Sequence, residues 1–158
     1  AHSETAYMTQ RAIDFIDDAG DQPWVLHLSY IKPHWPYIAP DPYHSMFKDA
    51  ELPKANKHIK EKETAHPVYR AFMNMEIGKT FSRDDVRQTV LPAYMGLIKE
   101  IDDQLARVMD HLKENQLLEN TLIVLSLTVG KFFQKRNMLC QLFKIYVNEY
   151  KKSTDIVI

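Results

Sequence analysis

A single cysteine, Cys140, stands among 158 residues, which excludes an intramolecular disulfide framework and a multi-cysteine zinc site and leaves the redox compartment open. Charge of one sign is lacking too: 20 Lys and Arg residues nearly cancel 21 Asp and Glu residues, for a formal net charge of −1. That balance gives no global attraction to nucleic acid or to an anionic membrane, so any recognition of anions has to be local. No stretch approaches the roughly 20 apolar residues that span a bilayer, and the amino terminus, Ala1-His2-Ser3-Glu4-Thr5, has neither the basic nor the apolar region of a signal peptide. The chain reads as soluble, with its compartment unknown. It also starts without Met, directly at a helix, so its true start is expected elsewhere. With 45% hydrophobic and 26% charged residues and no repeats, the composition is that of one globular domain rather than of a disordered segment.

Against these absences one short stretch stands out, Lys32-Pro33-His34-Trp35-Pro36-Tyr37. Its two prolines fix φ and disfavour the α region for Lys32 and Trp35, so an ammonium and an imidazole sit on a pre-shaped loop. The run before it, Trp24-Val25-Leu26-His27-Leu28-Ser29-Tyr30, is dense in β-formers and bounded by Asp21-Gln22-Pro23, the signature of a buried strand. His34 then lies past the carboxyl end of a strand, where open α/β sheets bind ligands. His27, on that apolar run, reads as a hydrogen-bonded core residue.

From Thr5 to Ala19 the residues Met8, Ala12, Phe15, Ile16 and Ala19 fall at helical spacing, with Thr5 as N-cap and Gly20 as the stop. Residues 48–80 are a polar excursion, a surface loop or lid, with one short helix around Tyr69 to Met75. Ser82-Arg83-Asp84-Asp85 has the form of a capping box opening a long helix, Val86 to Asn115, whose apolar face is Tyr94, Ile98, Ile101, Leu105, Val108 and Leu112. Pro92 is expected to bend it or split off its first turns. Glu119-Asn120 makes a turn, and Thr121 to Leu127 is a second buried strand. Helix, strand, loop, long helix, strand is an α/β order.

Several features have plain readings. His44, His58 and His66 lack the spacing of a zinc site. Asp102 and Asp103 occupy consecutive helix positions pointing about 100° apart, which makes them a solvated face and not a carboxylate pair. The lysines between Lys54 and Lys62 have no aromatic interleaving, so they are no nucleic-acid surface.

Taken in order, Pro23-Trp24-Val25-Leu26-His27-Leu28, Lys32 to Tyr37, His66-Pro67-Val68-Tyr69-Arg70, Tyr94 to Asp103 and Leu118 to Val124 resemble the sulfatase family of the alkaline-phosphatase superfamily, most closely its phosphonate monoester hydrolase and arylsulfatase branch. The resemblance implies a partial alkaline-phosphatase-like fold, with helices on an incomplete, mostly parallel sheet. It also implies hydrolysis of small sulfate, phosphate or phosphonate esters by a formylglycine held on a divalent metal, Ca or Mn. His34 matches the family's active-site histidine, and Lys32 would add charge complementary to the developing anion.

The chain departs from the family in three ways. No Cys or Ser is followed by x-Pro-x-Arg, since Cys140 leads into Gln141-Leu142-Phe143-Lys144. The family's early metal-binding aspartates would precede Ala1. The second strand, which in relatives ends Ser-Asp-His-Gly, here ends Leu127-Thr128-Val129-Gly130, and Val129 has no lone pair to give a metal. Residues 1–127 therefore read as a fragment of a sulfatase catalytic domain, with no metal ligands of its own, and 128–158 as a basic tail outside the family. A frameshift, aberrant splice or gene-model error near residue 126 would produce that tail. The expected chain is inactive by itself and prone to self-association through unpaired strand edges. The rival reading is a non-catalytic remnant that binds a partner through residues 48–80 or the tail.

Overall fold

A computed structural model describes residues 2–52, 54–55 and 58–126. The first helix, α1, runs Glu4–Ala19. Its N-cap is Ser3, two residues earlier than Thr5, because the Ser3 hydroxyl accepts the Ala6 amide at 3.1 Å. It stops at Gly20, whose φ of 54° lies in the region that glycine enters without steric cost. Four short helices follow, α2 (Tyr43–Met46), α3 (Lys60–Glu63), α4 (Pro67–Asn74) and α5 (Glu76–Phe81), and then α6 (Asp84–Glu114). A 3₁₀ turn at Leu118–Asn120 is the last helical element among the described residues.

The 31 residues of α6 extend about 46 Å. Pro92 is buried inside the helix without dividing it. The N-cap is Arg83 rather than Ser82: the Ser82 hydroxyl donates to the Lys79 carbonyl at 2.7 Å, and Arg83 turns its guanidinium to Asp85. The buried face is also rotated from the expected one. Leu97, Glu100 and Gln104 are buried along with Tyr94 and Leu112, while Ile98, Ile101, Leu105 and Val108 are half-buried. The reason is that α6 packs against both α1 and α2. On α1 the covered side is correspondingly small: Thr5, Ala6, Thr9, Ala12 and Ile16 are buried, whereas Phe15 is exposed. Thr9 tolerates full burial because its hydroxyl donates to the Thr5 carbonyl at 2.9 Å.

The expected sheet is not found among the described residues. Residues 24–30 and 121–126 carry no strand ladder, and none of the amides of 24–30 is donated to a backbone acceptor there. Their burial nevertheless alternates with a period of two, the pattern of extended chain. Trp24, Leu26, Leu28 and Tyr30 are half-covered, and Val25, 89% exposed, looks the other way together with His27 and Ser29. Thr121, Ile123 and Leu125 alternate in the same manner with Leu122 and Val124. Both runs are thus half-covered rather than buried, and His27 is an exposed residue instead of a core one. A strand's hydrogen bonds are made to a neighbour, which local sequence cannot supply.

Candidate functional site

The loop after residue 31 is held by its own backbone. The His34 amide donates to the Ile31 carbonyl at 3.0 Å and the Ile38 amide to the Pro36 carbonyl at 2.9 Å, and the Lys32–Pro33 and Trp35–Pro36 peptide bonds are cis. Lys32 Nζ donates to the Pro36 carbonyl at 2.7 Å, tying the start of the loop to its end. His34 Nδ1 lies 2.7 Å from the Trp35 carbonyl oxygen. A carbonyl only accepts, so Nδ1 carries a hydrogen and Nε2 is the ring nitrogen whose protonation changes the charge. The Trp35 ring, 58% exposed, stands 6.1 Å from the imidazole.

Three tyrosines mount this loop on the helices. Before it, Tyr30 Oη lies 2.6 Å from Thr9 Oγ1 on α1. Thr9 has given its one hydrogen to Thr5, so Tyr30 is the donor. Just after it, the Tyr37 ring meets Tyr94 of α6 edge-on, with centroids 5.8 Å apart, and Phe81 of α5 at 6.2 Å. Burial, with the neighbouring Tyr94 phenol, pushes the Tyr37 hydroxyl up to about 12. Further on, Tyr43 of α2 donates to Asp103 Oδ2 at 2.9 Å. Burial raises the Tyr30, Tyr43 and Tyr94 hydroxyls too, Tyr43 also through its bond to Asp103, so all four stay protonated donors. The hydrogen bond from Lys99 holds the Asp103 carboxyl below the usual carboxylate value.

His34 and Lys32 thus share one loop, each bonded to a carbonyl within it. Asp102 is exposed as expected, with Lys99 beside it at 3.3 Å, but Asp103 is half-buried and structural. His58 and His66 accept the Lys60 and Val68 amides, and His66 thereby caps α4. What the sequence reading missed is Gly96, buried in mid-α6 against the Tyr43 backbone. A glycine inside a strong helical pattern was the signal for it.

Do the residues fit the family's metal and formylglycine? Among the described residues no three His, Cys, Asp or Glu side chains converge. The buried Glu100 Oε1 has no hydrogen-bond partner there, yet a single carboxylate oxygen holds no divalent ion. Thr128, Val129 and Cys140, with the rest of the tail, lie outside the described residues. The donor set of the described residues does not fit these groups. No described helix is long and apolar enough to cross a membrane.

The family model for Sulfatase matches residues 2–126. The chain is 30% identical over 150 residues to the multifunctional alkaline phosphatase superfamily protein PehA of Trinickia caryophylli, covering 87% of this chain and 29% of that protein. It is 28% identical over 127 residues to the arylsulfatase of Clostridium perfringens, covering 76% and 25%. Among solved structures, the phosphonate monoester hydrolase SpPMH from Silicibacter pomeroyi aligns with a TM-score of 0.64 at 34% identity, over 77% of this chain and 26% of that one. The chain spans less than a third of the length of these curated relatives. A match that takes in α1, the His34 loop and all of α6 answers the question of kinship: the chain belongs to the sulfatase family.

Proposed function

We propose that this chain carries the histidine arm of a hydrolase of small sulfate, phosphate or phosphonate esters. The observation that carries the reading is the 2.7 Å bond between His34 Nδ1 and the Trp35 carbonyl. With Nδ1–H fixed on an acceptor, protonation at Nε2 gives a second donor, directed at an ester oxygen or delivering a proton to a departing one. Lys32 adds local positive charge to a chain whose formal net charge is −1. Its bond to Pro36 makes shaping the loop its first role. Residues 24–30 and 121–126 are, in this reading, strands of a mostly parallel sheet, and 48–80 a surface excursion over it.

By itself the 158-residue chain turns over no ester, since no Cys or Ser in it is followed by x-Pro-x-Arg. The test is a turnover assay with p-nitrophenyl sulfate and a phosphonate monoester, alongside an NMR titration of His34 with inorganic phosphate. Saturable phosphate shifts at His34 without turnover support the proposal. Turnover that disappears in His34→Ala overturns the inactivity, and phosphate that leaves His34 unmoved overturns the anion reading.

One observation favours a second reading, a non-catalytic chain that associates with a partner or a second copy. Val25 and Val124 are 89% and 73% exposed on extended segments without a ladder among the described residues. Concentration-dependent sedimentation, abolished by Val25→Lys, would support it.

A further inference from the structure

We infer that Gly96, Tyr43 and Asp103 together form a gauge on α6 that sets the stance of His34, which makes them positioning residues for the anion loop. The inference rests on the reading of His34 given above. It starts from space. A Cβ built on Gly96 would stand 2.1 Å from the Tyr43 carbonyl oxygen and 2.8 Å from its carbonyl carbon. Those are backbone atoms, so no side-chain rotation relieves the clash, and α2 itself has to move. The same tyrosine is fixed at its other end, where its hydroxyl donates to Asp103 Oδ2 at 2.9 Å. Asp103 lies seven positions beyond Gly96, two helical turns, on the same side of α6. Side chains on a helix lean toward its amino end, which brings the carboxylate back over Tyr43. Lys99, one turn before Asp103, keeps that carboxylate ionised and accepting.

Tyr43 is therefore gripped at backbone and hydroxyl by one rigid helix. Between it and His34 the chain has little slack. Pro36, Pro40 and Pro42 each fix a φ angle, and Tyr37 is wedged edge-on against Tyr94 and Phe81. A displacement of α2 at Gly96 is passed along this stiff segment to the loop. Their influence on the imidazole is through position.

The test uses the full 158-residue chain with nitrogen-labelled histidine, and reads three quantities by NMR and thermal unfolding: the phosphate Kd at His34, the His34 ring-nitrogen shifts without phosphate, and the unfolding midpoint. Tyr43→Phe should weaken phosphate binding about 5-fold, the worth of one hydrogen bond. Gly96→Ala should weaken it about 10- to 100-fold, as a misplacement of order 1 Å does. In both variants the His34 ring shifts should move before any phosphate is added. Asp103→Asn, which keeps an acceptor, should restore most of what Asp103→Ala loses. Variants that lower the unfolding midpoint while leaving both the Kd and the ring shifts at wild-type values overturn the inference. If Gly96→Ala does not fold, Tyr43→Phe decides by the same criterion. If the wild-type chain binds no phosphate, the functional reading fails, and the ring shifts, which need no ligand, still decide on the gauge.

Discussion

The helix pair and the two extended segments answer the same demand, that backbone polar groups be satisfied, in opposite ways. Past the first turns of α1 and α6 the amides find their acceptors one turn away on the same chain, so the pair needs only side chains that pack closely: Ala6, Ala12 and Ile16 on one side, Leu97 and Leu112 on the other, are all 6% exposed or less. Residues 24–30 and 121–126 are as apolar, yet Val25 and Val124 are 89% and 73% exposed, and no ladder forms among the described residues. The difference teaches where the functional loop gets its shape. His34 follows an extended segment in sequence, but its loop, closed by its own backbone bonds, is mounted on α1, α5 and α6 through Tyr30, Tyr37 and Tyr43. The site is mounted on the self-sufficient half of the molecule.

Substitutions can break this contrast. Leu97→Ala, at a fully covered position, should cost about 3 kcal/mol in a denaturant melt, whereas Val25→Ala should change stability by less than about 0.5 kcal/mol. Equal costs at the two positions would mean that the outward face of residues 24–30 is covered after all. Thr9→Val, nearly isosteric, removes the acceptor of the Tyr30 hydroxyl and should cost about 1 kcal/mol, testing the hydrogen bond between the first extended segment and α1. The smallest effect is in alkali. Because folding raises the Tyr37 hydroxyl to about 12, its contribution is fully present below its ordinary value of 10.0 and is lost as pH rises through about 12. Solvent screens this half-exposed ring, so Tyr37→Phe should only flatten the alkaline loss of stability over that window, as followed by melts at successive pH values.

Local features were legible in the sequence and long-range ones were not. The extent of α1 and its stop at Gly20 follow from spacing and from what glycine allows, and the stiffness of the His34 loop follows from its prolines. The cap moved from Thr5 to Ser3 because either hydroxyl satisfies the motif and only geometry chooses. The start of α6 moved from Ser82 to Arg83, with the Ser82 hydroxyl donating back to the Lys79 carbonyl of α5. On α6 the period was right and the face was rotated, since a helix covered from two sides buries polar positions such as Glu100 and Gln104 that a one-sided pattern assigns to water. Tyr43 and Asp103 are 60 residues apart, and Gly96 is identified only by what lies against it, so this part of the site has no local signature beyond a glycine where a helix disfavours one.

Residue-resolved amide hydrogen exchange on the monomeric chain tests the contrast most directly. The account predicts strong protection through the middle of α1 and α6, measurable protection at the His34 amide that is donated to Ile31, and exchange close to that of an unstructured peptide at Val25, His27, Leu122 and Val124. Protection of residues 24–30 equal to that of α6 would contradict it, because those amides would then have partners inside this chain.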